Sequence, residues 1–344
     1  MSIELPVLRL GLAGFSAQQV AELDALLRRS APGRYIWQIG HFNDADAWWL
    51  NGSRVQRVAE NAIRIVPAIP TERSLQLNME EVDRPIGFGL PLAFAPSEPN
   101  YTFDPASPAS VNQVLEKFES WLQPIAAQFS LAARIIEQES VLGSASYHVV
   151  LNGQLLAVVN MLGDIGVFPS AGPADFDDAM WVRQPAKSGI PESFVRTSLS
   201  ELMWQYALRT TRDVLPKRYR TGLLYFRRPP HLPQRLLSDS HLLVMRELSA
   251  GAGVFADLQQ RTGMAAAALA RILAALYLVG TITSNPKRAS VTTIGAVRDE
   301  VEPSIGIQHS VVPSGLDGES VPATQPPRRR RLVDFTLPVP LLRR

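Results

Sequence analysis

Cysteine is absent from the 344 residues, which excludes disulfides, thiolate nucleophiles and the usual structural zinc sites and leaves the redox compartment open. Histidine is scarce, with five widely scattered copies, and no G-x-S-x-G, H-E-x-x-H or Ser-Lys signature accompanies them. With no complete catalytic constellation, the chain is expected to be no enzyme and to carry neither metal nor cofactor. It has no uncharged apolar run of about 18 residues, the length that a membrane span requires. The first fifteen residues include Glu4 and Arg9 and have no long apolar core, so neither secretion nor membrane insertion is expected, and a cytoplasmic protein is. A large charge of one sign is also missing. Lys and Arg number 34 against 32 Asp and Glu, for a net charge of +2, so any basic surface must come from local clustering.

Apolar residues make up 46% of the chain, enough for the cores of roughly two to three domains. The expected class is α/β and α+β multidomain. Residues Val7 to Phe15 read as a strand, and Ser16 with Gln19 forms a capping box before a helix carrying Val20, Leu23, Leu26 and Leu27 on one face. Tyr35 to Ile39 and Ala47 to Leu50 continue a βαβ rhythm. The alternation then weakens into short strand-like pieces at Ile63 to Val66, Ser74 to Leu77 and Pro85 to Leu90. These segments give an α/β domain over 1-94. Four prolines between Ala95 and Ser110 mark a linker over 95-110.

An α+β module is expected over 111-235. Ser110 and Gln113 read as a capping box ahead of Val114, Leu115, Phe118, Trp121, Leu122, Ile125 and Phe129 at helical spacing, with a bend at Pro124. Asn152-Gly153 between two apolar runs predicts a hairpin with a type I′ turn. A third strand is expected at Ile165 to Phe168, and Ser198 with Glu201 boxes a further helix. Over 236-296 the order becomes helix, short helix, a Thr262-Gly263 turn, helix and hairpin, the last formed by Thr281 to Thr283 with Ser290 to Ile294. Beyond it, 297-344 is rich in Pro, Ser, Gly and Val without periodicity and reads as a disordered tail. Its end, Arg328, Arg329, Arg330 and Arg331 followed by Phe335, has the form of a short linear binding motif.

The opening Leu8 to Phe15 resembles the first strand and turn of response-regulator receivers, a likeness spanning roughly the first 90 residues. Receivers follow this strand with paired acidic residues for magnesium; Gly14, Phe15 and Ser16 stand there instead. Where receivers carry the phospho-accepting Asp, at the end of the third strand, this chain has Asn51. The resemblance therefore implies a pseudo-receiver that works by contact, without magnesium ligands or an acyl-phosphate nucleophile. In order of elements, 236-296 is similar to winged-helix domains. Gly11 and Gly14 alone match neither the dinucleotide nor the P-loop pattern.

The strongest charge anomaly is Arg209, Arg212, Lys217, Arg218, Arg220, Arg227, Arg228 and Arg235, opposed in that stretch only by Asp213 and interleaved with Tyr219, Tyr225 and Phe226. Guanidinium forks suit phosphates and carboxylates, so this is a candidate face for a protein partner, a phosphate or nucleic acid; the bland alternative is pairing with acids elsewhere in the chain. A nucleotide second messenger is a weaker candidate. In the third C-terminal helix, Met264 to Ala268 are short and apolar and only Arg271 suits base readout, while Lys287 and Arg288 at the expected wing suit phosphates. Protein contact is therefore favoured over DNA. Asp164, Asp175, Asp177 and Asp178 group in one stretch without EF-hand spacing. The resulting expectation is a signalling adaptor, with a DNA-binding regulator, a nucleotide-responsive effector or an enzyme of unrecognised type as alternatives.

Overall fold

The apolar segment Val7–Ala13 forms β1, whose Leu8 and Leu10 are wholly buried. A computed structural model describes residues 4–29, 33–69, 73–93, 101–185 and 189–290; all of them belong to one compact unit, Met1–Val301. The expected box opens α1 (Ala17–Arg29): the Ser16 hydroxyl accepts from the Gln19 amide, and the Gln19 side chain accepts from the Ser16 amide. After β2 (Ile36–Gly40) comes the fully buried β3 (Ala47–Asn51). An antiparallel meander of β4 (Val55–Ala59), β5 (Ala62–Ile65) and β6 (Leu75–Asn78) occupies the place of a crossover helix. It covers Leu50 and Phe88 with Val55, Ile63 and Ile65. Then β7 (Ile86–Gly89) and β8 (Tyr101–Phe103) complete a parallel sheet of order β2-β1-β3-β7-β8.

The stretch read as a linker thus carries a strand, and the helix after it joins the N-terminal core. Helix α2 (Pro108–Trp121) starts earlier than the Ser110 box implies. Ser107 is the N-cap with Pro108 at the first helical position, where a missing N–H costs nothing. Ser110 instead accepts from the Asp104 amide. Its Val111, Val114, Leu115 and Phe118 pack with β1 and β3. Pro124 does more than bend the chain: α2 ends, and α3 (Gln123–Glu137) begins anew with the proline in its first turn. The break turns Trp121 outward, 52% exposed, where the spacing placed it inside.

In the central sheet, β9 (Ser146–Leu151) and β10 (Gln154–Asn160) form the expected hairpin, with φ of 49° at Asn152 and 83° at Gly153, both in the region a type I′ turn demands. With β11 (Asp164–Val167), the short α4 (Pro173–Asp177), β12 (Met180–Gln184) and β13 (Val195–Ser198), the antiparallel order is β12-β9-β10-β11-β13. Ser198 and Glu201 cap α5 (Leu199–Arg209) reciprocally.

Two cores share α5. Its Leu202, Met203 and Tyr206 pack with α3 on the central sheet, while Trp204 and Ala207 belong to the C-terminal core. That core adds α6 (Arg218–Thr221), β14 (Tyr225–Phe226), α7 (Asp239–Ala250), α8 (Phe255–Thr262), α9 (Ala266–Leu278) and β15 (Ile282–Thr283). It therefore draws on residues from both sides of 235/236, with Leu215, Tyr219 and Leu224 beside Val244 and Leu273. Gly263 closes α8 in a left-handed conformation, φ 67°, as a C-terminal glycine does. The C-terminal pairing differs from expectation. Strand β15 pairs with β14, and the Ser290 amide donates to the Phe226 carbonyl, so β14 lies between Ile282 and Ser290. The backbone of Tyr225 and Phe226 thus supplies the pairing that each side of the expected hairpin was to give the other. Residues 291–294 and the tail motif Arg328 to Arg331 with Phe335 lie outside the described residues. No single helix among the described residues is long and apolar enough to cross a membrane; α8 and α9 pass that test only together, and they are bent by 115°.

Candidate functional site

At the carboxyl edge of the parallel sheet, the positions of the receiver comparison are occupied by structure. Asn51 is buried; its Nδ2 donates to the Gly14 carbonyl at 3.0 Å and its Oδ1 accepts from the Ser53 hydroxyl at 2.8 Å. Asparagine can donate and accept at once, and this position uses both capacities to join two loops. Gly14 adopts φ 79°, and Gly52 lies against the Gly89 carbonyl so closely that a side chain would collide with it. These contacts fill the edge.

The arginines expected to form one face are divided. Arg209 is nearly buried and pairs with both oxygens of Asp46, at 2.8 and 2.7 Å. Arg212 bridges Glu4 and Glu137, each at 3.0 Å, and the Glu137 contact raises its already high pKa. Arg220 pairs with Asp213 at 2.8 Å and lies over the Phe255 ring. Lys217, Arg218, Arg227, Arg228 and Arg235 are exposed, with Arg218 over the Tyr219 ring. Arg227 and Arg228 flank β14, and Lys287 and Arg288 form a turn just past β15. The acidic stretch is similarly engaged: Asp175 accepts from the Gly172 amide and Asp177 pairs with Arg134. No group of three or more His, Asp and Glu among the described residues converges as a metal site.

What the structure does assemble is a cleft of about 610 Å³ between the β2–β3 loop, the α2–α3 break and the first turns of α7 and α9. Arg9, Arg84, Arg209, Arg235 and Arg271 line it against Asp44, Asp46 and Asp83. One corner is rigid. Asp46 receives Arg209 and also the Arg9 amide at 2.8 Å, while the Arg9 guanidinium donates to the Leu208 carbonyl at 3.2 Å. This ties the N-terminal sheet to the end of α5. Another wall is formed by Arg84, which pairs with Asp83 at 2.8 Å and sits 4.7 Å over the Trp48 ring; its hydrogen bond lowers the Asp83 pKa.

Two titratable groups in this cleft are perturbed. Burial depresses the Arg9 pKa below its ordinary value, and the adjacent positive charge of Arg209 acts in the same direction. His241 is buried at the start of α7, where Nδ1 accepts from the Ser238 amide at 3.1 Å and meets the Ser238 hydroxyl at 2.6 Å. Its ring packs 4.7 Å from that of Trp204, and Nε2 is buried without a hydrogen-bond partner among the described residues. Desolvation brings its pKa down to about 4, so the imidazole is neutral at pH 7.

Of the eight basic residues expected to act together, the cleft holds Arg209 and Arg235. Arg9, Arg84, Trp121 and His241 come from distant segments, and sequence reasoning missed them as site residues. Arg9 had a readable signal: one charged residue within an otherwise apolar buried strand calls for a partner. No family model, no curated protein and no solved structure matches the chain.

Proposed function

We propose that this chain is a non-enzymatic regulatory adaptor of the bacterial signalling type, acting through protein contacts. In this reading the N-terminal sheet is a phosphorylation-independent pseudo-receiver, and α7 to β15 form a winged-helix-like element used to bind protein. The observation that carries it is the placement of α9. A DNA-reading helix must enter the major groove and bring Arg, Asn, Gln or Lys to base edges. Here Leu269, Ile272, Leu273, Ala275 and Leu276 are buried in the core shared with α5. The exposed remainder of the first turns is Ala265 to Ala268 and Arg271. Alanines admit a closely approaching protein backbone and supply no base-edge donors.

The order of the parallel strands supports the pseudo-receiver part. Counted along the chain, they lie 2-1-3-4-5, the order of flavodoxin-like sheets. The engagement of Asn51 with Gly14 and Ser53 supports a role independent of phosphorylation.

One observation favours a second reading, nucleic-acid binding. The small sheet of β14 and β15 is flanked by exposed Arg227, Arg228, Lys287 and Arg288, which can position a phosphate backbone. Capture from native lysate by the full-length chain separates the two readings. The adaptor reading expects a protein that survives nuclease and is lost with Ala267→Glu. Recovery of nuclease-sensitive nucleic acid instead, lost with Arg227→Glu/Arg228→Glu and weakening steeply with salt, would establish the second.

A further inference from the structure

We propose that the arginine-lined cleft is a binding site for a small phosphate-bearing ligand of the nucleotide class. This goes beyond the adaptor reading and stands without it. Charge provides the first argument. Asp46 is matched by Arg209 and Asp83 by Arg84, which leaves Arg9, Arg235 and Arg271 facing Asp44. Arg235 and Arg271 form no ion pair among the described residues, although each lines the cleft. Arg9 is largely withdrawn from water, and the like charges of Arg209 and Arg271 act on it against the opposite charges of Asp46 and Asp44. Positive charge gathered in a partly desolvated cleft is relieved by an anion, and guanidinium forks match phosphate oxygens.

Shape gives the second argument. The volume of about 610 Å³ falls within the roughly 300–1,000 Å³ typical of small-molecule sites. The first turn of α7 contributes Ser238, Ser240 and His241 to the wall, so the positive end of a 12-residue helix faces the cleft. Asp239 in the same turn offsets part of that field. Trp121, 52% exposed at the end of α2, also lines the cleft, together with Leu122 and Ile125. An exposed indole on an apolar rim is a stacking surface for a flat ring, and a base linked to phosphate presents both chemistries at once.

Isothermal titration of the full-length chain with ATP, GTP, a cyclic dinucleotide, inorganic pyrophosphate and an acidic phosphopeptide tests this. Arg235→Ala and Arg271→Ala serve as variants, because both side chains are exposed and unpaired among the described residues, and thermal unfolding confirms that each remains folded. At least one nucleotide is expected to bind with micromolar affinity, weakened by about tenfold to a hundredfold in each arginine variant, the range for a lost charge-assisted hydrogen bond. Trp121→Ala should weaken the nucleotide and leave pyrophosphate unchanged. Three results overturn the proposal: no nucleotide binds; nucleotide binding is the same in both arginine variants as in the wild type; or pyrophosphate or the phosphopeptide binds as tightly as any nucleotide, with no effect of Trp121→Ala.

Discussion

His241 should make this protein lose stability on mild acidification, because the folded state holds its imidazole neutral. Burial against Trp204 lowers its pKa from 6.5 to about 4. Unfolded, the same imidazole takes up a proton near its ordinary value. Between those two pH values the unfolded chain therefore binds more protons than the folded one, and stability falls as pH falls. Above pH 6.5 the whole contribution is present; below about 4 both states are protonated and the loss stops growing. The difference between the two values corresponds to about 3 kcal/mol, a large share of the roughly 5–15 kcal/mol by which folded chains exceed unfolded ones. The control is His241→Gln, whose side chain can still accept from the Ser238 amide but does not titrate in this range. Urea unfolding of both proteins from neutral pH to about pH 4 should give curves that diverge by about 3 kcal/mol, the wild type falling faster. An NMR titration of the ring should place its midpoint well below the ordinary histidine value. Parallel unfolding curves, or a ring titrating near 6.5, would refute the reasoning.

Breaking the corner at Asp46 should be costly: Arg209→Met leaves a carboxylate with 8% side-chain exposure unmatched and should destabilise by about 3–5 kcal/mol. The double variant Arg209→Met/Asp46→Asn, which removes the charge but keeps an acceptor for the Arg9 amide, should recover most of that in urea unfolding, and a single variant within about 1 kcal/mol of wild type would contradict a tight buried pair. Asn51→Asp should destabilise by about 1–3 kcal/mol at pH 7, since a carboxylate cannot donate to the Gly14 carbonyl. Its deficit should shrink as pH falls and the carboxyl regains a proton, and a deficit independent of pH in thermal unfolding would count against the donor role.

Local chemistry was legible where a few adjacent residues determine the conformation. Asn152-Gly153, the Ser16/Gln19 and Ser198/Glu201 boxes and Gly263 each satisfy their own backbone requirements, so the elements form where the spacing placed them. Partnership across the chain was less legible. The Trp121 position fits a helical stripe, and only the restart of the helix at Gln123 shows that it leaves the core. The charge excess between Arg209 and Arg235 was visible, and so was the alternative that its arginines pair with acids elsewhere, but not which acids: Asp46 is 163 positions from Arg209, and Glu4 and Glu137 are far from Arg212. A cleft built from Arg9, Arg84, Trp121, Arg235 and Arg271 has no sequence pattern, because widely separated segments bring those residues together.

The same geometry determines what occupation of the cleft would do. Arg9 and Asp46 belong to the N-terminal sheet and its β2–β3 loop, Arg235 and Arg271 to the segments around α7 and α9, and the Arg209–Asp46 pair and the Arg9–Leu208 hydrogen bond both join the N-terminal sheet to the end of α5. An anion held by arginines from both sides would add cross-links parallel to that pair and screen the repulsion among Arg9, Arg209 and Arg271. Since such a ligand binds only where the walls are assembled, it stabilises the assembled form by mass action. Because α5 is common to the central and C-terminal cores, loosening that corner reaches both. Whichever nucleotide the wild type binds should therefore raise the melting temperature of a variant destabilised at Asn51, outside the cleft, about as steeply as that of the wild type, whereas Arg209→Met, which removes a cleft arginine and leaves the Asp46 carboxylate facing the anion, should bind it more weakly and rise less steeply with ligand concentration.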